Sequence, residues 1–110
     1  MKEVSGDYIM VMVTASNEAE ASRIGKTVVT ERLAACCNIL PGFRSIYRWK
    51  GELMNEPEAL CIFKTRASLF TSLKDRVVEL HSYEVPEVVS IEIKAGHSDY
   101  LAWITENTTL

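Results

Sequence analysis

The sequence predicts an α+β fold: a ferredoxin-like β-α-β-β-α-β sandwich with a short C-terminal helix and a long bent hairpin between its second and third strands. Three observations carry this prediction. Apolar, β-branched runs fall at 8–14, 35–40 with 43–49, 58–65 and 88–95. Between them, segments 17–33 and 67–81 repeat apolar residues at helical spacing. Pro41-Gly42 and Lys50-Gly51 punctuate the middle of the chain, as a bend and a turn would.

Each element follows from its own residues. Tyr8, Ile9, Met10, Val11, Met12, Val13 and Thr14 form a continuous apolar run, which reads as a strand buried on both faces. Ser16 can cap the first helix, and Asn17 with Glu20 has the spacing of a capping box. Ala21, Ile24, Val28 and Leu33 line the apolar side of that helix, and Glu18 and Glu20 sit where its dipole favours acids. The second strand starts at Ala35, breaks at Pro41-Gly42, and resumes from Phe43 to Trp49 with Tyr47 and Trp49 on one face. Met54, Asn55, Glu56 and Pro57 are polar, and the third strand follows from Glu58, with Leu60 and Ile62 opposite Cys61 and Phe63. The second helix starts at Ala67 or Ser68, and Leu69, Phe70, Leu73, Val77 and Leu80 form its core stripe. The last strand alternates, with Val89, Ile91 and Ile93 opposite Ser90, Glu92 and Lys94. Ser98 can cap the final helix, which carries Asp99 in its first turn and His97 facing solvent at its start.

Composition bounds the rest. The 110 residues suit one domain, and 47% apolar with 25% charged residues is the balance of a folded globular chain. A formal net charge of -3, without a basic run, gives no general attraction to nucleic acid or anionic lipid. No stretch approaches the roughly 20 apolar residues that cross a bilayer, and the polar, acid-bearing first residues do not read as a secretory leader. Cys36, Cys37 and Cys61 fit reduced thiols better than a disulfide framework, so a cytoplasmic location is expected. With two histidines and no nucleophile–base–orienter set, an enzyme is not expected.

The architecture leaves a surplus. Two helices cover one face of a four-stranded sheet, yet the first and third strands are apolar on both faces. A second subunit, or partial cover by the C-terminal helix, would bury that surface, and the long hairpin can pair with a neighbour's strand edge.

Arg32-Leu33-Ala34-Ala35-Cys36, Asn38-Ile39-Leu40-Pro41-Gly42, Ser45-Ile46-Tyr47, Trp49 and Gly51 resemble the signature of the CutA family of divalent-cation-tolerance proteins. The resemblance continues through Lys64-Thr65, His81, Tyr83, Pro86-Glu87, Gly96, Tyr100-Leu101 and Trp103, and so covers nearly the whole chain. It implies a PII-like homotrimer assembled through the long hairpin, a link to copper or other divalent cations, and no enzymatic activity. No cation is expected to be required for the fold.

Two sites are expected. For metal, Cys36 and His81 match family positions and are suitable ligand types, although Cys36 also reads as a small buried hydrophobe and His81 as a helix-end residue. Cys37 points away from Cys36 in a strand, and packing is the simpler reading of both Cys37 and Cys61. Two departures weaken a metal site: His81-Ser82-Tyr83 replaces the family's usual His-Pro-Tyr, and Val13 stands where some members proposed to bind copper carry cysteine. The second site is an inter-subunit cleft at Tyr47, Trp49, Lys64, Tyr83, Glu87 and Trp103, read either as a pocket for a small metabolite or as interface core. Lys64 needs a partner among its apolar neighbours, and Glu87 is a candidate.

Overall fold

The computed structural model describes residues 7–109, so the start at residues 1–6, read above as unlike a secretory leader, lies outside the described residues. The elements are β1 (Tyr8–Ala15), α1 (Glu18–Thr30), β2 (Cys36–Trp49), β3 (Glu52–Arg66), a 3₁₀ turn (Ala67–Leu69), α2 (Phe70–Leu80), β4 (Val88–Glu92) and α3 (Ser98–Glu106). The sheet order is β2-β3-β1-β4, every pairing antiparallel. This is the ferredoxin-like arrangement with its added C-terminal helix.

Register decides which residues meet the helices. Ile9, Val11 and Val13 share a face with Thr65, Phe63 and Cys61, opposite which they pair. All of these but Thr65 pack with Ile24 and Val28 of α1 and Leu73 and Val77 of α2 into one buried cluster. Phe63 is the largest wholly buried side chain, and truncating such a residue costs about 3–5 kcal/mol. On the other face α3 covers one end, where Leu101 and Ile104 bury against Tyr8 and Ala35.

Boundaries differ from the sequence reading in three places. α1 stops at Thr30 and not near Leu33. Arg32 takes φ 62, and the N–H groups of Arg32 and Leu33 return to the carbonyls of Val29 and Val28, closing a Schellman cap. Leu33 therefore reaches the core from beyond the helix, which explains its place in the apolar pattern. β3 begins at Glu52 and not Glu58, because residues 52–58 pair with β2 along the hairpin. β4 ends at Glu92, although the Ile93 N–H still donates to the Tyr8 carbonyl. At α3, His97 holds the cap position and Ser98 is already helical.

The hairpin is an arm. β1 ends at Ala15 opposite Ala59, so 52–58 and their β2 partners have no third strand beside them. Seven residues of antiparallel strand span about 24 Å, which accounts for a molecule 49 × 25 × 23 Å in extent. The register slips between Leu40 and Phe43, and Gly42 at φ 74 accommodates the bulge. At the tip Trp49 pairs with Glu52 across Lys50 and Gly51 at φ 50 and 82, the two left-handed positions of a type I′ turn.

Candidate functional site

An exposed concavity lies where the arm leaves the body. Thr14 ends β1 here, Ser45, Ile46, Tyr47 and Trp49 come from β2, Glu58 from β3, and Ser82 to Val85 with Glu87 from the α2–β4 connection. The cavity measures about 640 Å³. Alternation along β2 puts Tyr47 and Trp49 on one face, as read from the sequence.

Hydrogen bonds fix its walls. The Tyr83 hydroxyl donates to Glu58 at 2.6 Å, and Glu58 is buried. Burial and then this bond push the Tyr83 phenol well above its ordinary range. Tyr47 donates to Glu56 at 2.5 Å, which raises its phenol to about 12. Behind the wall, Glu20 is 7% exposed and accepts from the Ser16 N–H, the Ser16 hydroxyl and the Ser82 N–H at 2.9, 2.8 and 2.8 Å. Burial alone would raise this carboxyl, but the Ser16 and Ser82 bonds outweigh it and bring it to about 2. Asn17 supplies the α1 cap, accepting from the Glu20 N–H at 2.8 Å. The capping-box spacing was therefore a true signal, with the Ser16 N–H in place of that of Asn17 donating the return bond to Glu20.

His81 is structural in this geometry. Its Nδ1 accepts from the Tyr83 N–H at 3.1 Å, which leaves Nε2 to donate to the Thr14 carbonyl at 2.7 Å. Its side chain is 0% exposed, so both ring nitrogens are committed inside the protein. A metal at His81 would have to displace one of these bonds, so the ring does not fit the role as it stands.

Cys36 lies elsewhere. It sits on the open face in a row with Lys64 and Met10, and its Sγ is 3.8 Å from the Tyr100 hydroxyl. From that row to Thr14 is four residues along β1 and two strands across, roughly 16 Å. Cys36 and His81 are not brought together. Among the described residues no group of three or more His, Cys, Asp and Glu side chains is placed to hold a metal ion.

The expected cleft residues divide. Tyr47, Trp49, Tyr83 and Glu87 line the cavity, whereas Lys64 and Trp103 do not. Lys64 donates to Asn38, its neighbour on the open face, so Glu87 is not its partner. Trp103 stacks on Tyr100 with centroids 5.5 Å apart, on the exposed side of α3. Sequence reasoning missed Glu58 and Glu20. Glu58 had a faint signal, an acid flanking an apolar strand on the face of Phe43, but Glu20 was fully explained by its helix position.

Residues 9–107 match the family model described as CutA1 divalent ion tolerance protein. The chain belongs to that family. It is 48% identical over 99 residues to the divalent-cation tolerance protein CutA of Thermus thermophilus, covering 90% of this chain and 96% of that protein. To the human protein CutA it is 41% identical over 105 residues, 96% of this chain but 59% of that protein. The crystal structure of CutA1 from Oryza sativa superimposes with TM-score 0.92 at 39% identity, covering 97% of this chain and 98% of that one. In this family member the polar residues nearest the arm brace the α2–β4 connection, and Cys36 lies in the body of the sheet, on its open face.

Proposed function

We propose that this chain acts in divalent-cation tolerance as a non-enzymatic homotrimer, with the open sheet face and the arm as its contact surfaces. The observation that carries the assembly is the apolar stripe on β4. Val89 and Ile91 are 44% and 48% exposed and lie beside Met12 and Met10 on the face that α1 and α2 leave bare. Ile46 and Leu53 on the arm are 68% and 70% exposed. Surface of this kind on a family member is what a closed cyclic oligomer buries. The cation link is supported by the family match and by the names of the relatives. Of the two expected ligands, Cys36 keeps an accessible soft donor and His81 does not. A cytoplasmic location fits three free thiols and is part of the same proposal.

Solution mass and metal content of tag-free protein test this reading. A mass of three chains, and copper(II) uptake weakened in Cys36→Ala, are expected; a monomer at micromolar concentration would overturn the assembly.

The cavity favours a second reading, a small-molecule sensor of PII-like plan. Its lining mixes aromatic rings with Glu58, Glu84 and Glu87 and holds no Lys, Arg or His. Lys50 pairs with Glu84 at 3.4 Å and Tyr83 with Glu58 at 2.6 Å, which leaves Glu87 and the aromatic rings to favour a ligand with a hydrogen-bond-donating head. A thermal-shift screen separates the readings, since stabilisation by an amine-bearing metabolite and not by metal supports the sensor.

A further inference from the structure

Cys37 and Cys61 come together on the opposite side of the sheet from Cys36. Register pairs Cys37 with Phe63 and Ile39 with Cys61, so the two cysteines are diagonal neighbours on adjacent strands, both facing α1. The helix makes room for them with its two smallest inward residues. A Cβ on Gly25 would lie 2.9 Å from the Cys37 sulfur, so only glycine leaves the sulfur its place. One turn earlier the Cys61 thiol donates to the Ala21 carbonyl at 3.5 Å. The Cys37 thiol donates to the Asn38 carbonyl at 3.8 Å, and the neighbouring Cys61 thiol, with burial, pushes the Cys37 thiol up while Cys37 draws Cys61 down.

We propose that Cys37 and Cys61 form a two-coordinate site for one thiophilic monovalent ion of the copper(I) class. Ligand count selects the ion. Two thiolates satisfy copper(I), whereas structural zinc takes four ligands, and the described residues supply no third or fourth. Spacing selects a bridge over a disulfide. Diagonal positions stand about 7–8 Å apart at Cα, beyond the usual disulfide reach of up to about 6.8 Å. Two metal–sulfur bonds of about 2.3 Å in line put the sulfurs about 4.6 Å apart, a span that diagonal neighbours on adjacent strands can bridge. Binding exchanges two thiol protons, released to solvent, for one cation, so the filled site carries one negative charge. The Lys64 ammonium favours that charge at Cys37, while the Glu20 carboxylate opposes it at Cys61. Access is from the sheet edge, because β2 is an edge strand and Cys37 is half-buried while Cys61 is wholly buried.

This inference rests on the tolerance reading only for the choice of copper as the ion. The test is an anaerobic titration of reduced, tag-free protein with copper(I) against a chromophoric copper(I) chelator, following the sulfur-to-copper absorption in the near ultraviolet. One equivalent per chain is expected in the unmodified protein and in Cys36→Ala, and at least tenfold weaker retention in Cys37→Ser and Cys61→Ala. Zinc in the same titration is expected to bring neither stoichiometric uptake nor loss of free thiols. No copper(I) retained by the unmodified protein, or loss confined to Cys36→Ala, overturns the site, and the latter leaves the tolerance reading standing. Should Cys61→Ala fail to fold, Cys37→Ser decides alone, and full retention there overturns the proposal.

Discussion

Replacing Glu20 with glutamine isolates one charge that holds the cavity wall to the body. The side chain keeps its shape, but the negative charge that accepts from Ser16 and Ser82 is gone. A carboxyl held at about 2 against an ordinary 4.5 is worth about 3 kcal/mol of folding free energy. At 7% exposure little of that is screened by solvent. The sign follows from proton binding. The folded carboxyl holds its charge at a pH where the unfolded one takes up a proton, so this stability is complete above about pH 5 and is lost as pH falls toward 2. The assay is urea unfolding of both proteins at pH 7, 5, 4 and 3, at one fixed protomer concentration because assembly couples to stability. The unmodified protein should be more stable by about 3 kcal/mol at pH 7, and the gap should close on acidification. A difference that stays constant across this range would show that Glu20 acts through packing or cap geometry and not through its charge. Because Ser82 belongs to the cavity lining, Glu20→Gln should also speed amide exchange at Ser82 and Tyr83.

Three further outcomes are expected. Tyr83→Phe removes the hydroxyl that donates to buried Glu58 and should cost about 1–3 kcal/mol in thermal or urea unfolding. Lys50→Asn places a residue tolerant of left-handed backbone at φ 50 beside Gly51 and should raise stability by about 0.5–1 kcal/mol, read as a higher urea midpoint at unchanged slope. Ile91→Glu puts a charge into the exposed apolar stripe of β4 and should shift the mass measured by light scattering from three chains to one, with the far-ultraviolet circular dichroism of the fold retained.

The fold was legible because its signals are local. Period-2 and period-3.6 patterns placed the strands and helices, and Pro41-Gly42 and Lys50-Gly51 marked the bulge and turn. The end of α1 was misplaced because Arg32 adopts a left-handed conformation usually announced by glycine, and Leu33 extends the apolar spacing past the cap. The start of β3 was misplaced because an arm with no core beneath it needs no apolar alternation. The site was legible only in part. Tyr47, Trp49, Tyr83 and Glu87 fall together, but the bonds that commit both nitrogens of His81 come from Thr14 and Tyr83, and the former is 67 residues away. Cys37 and Cys61 were read singly, and only the strand register shows them to be neighbours.

The same polar bonds bear on assembly. From α1 the chain of contacts runs through Glu20 to Ser82, then from Tyr83 to Glu58 at the root of the arm, with Tyr47 and Glu56 paired one step further out. Beyond that point the arm is a two-stranded ribbon, and such ribbons are marginal in water without a third strand or a packed face. Its outward residues Ile46 and Leu53 are diagonal neighbours, joined by register through Asn55 and Arg48, so they form one patch and not scattered exposures. A ribbon anchored this firmly at its base and carrying such a patch suits the proposed assembly, in which another chain supplies the missing face. The polar cluster at the cavity therefore aims the arm, whatever it binds. Loss of Glu20 or Tyr83 should accordingly weaken trimer association as well as the fold, and by more than the same loss of free energy placed at Phe63, which lies in the core away from the arm.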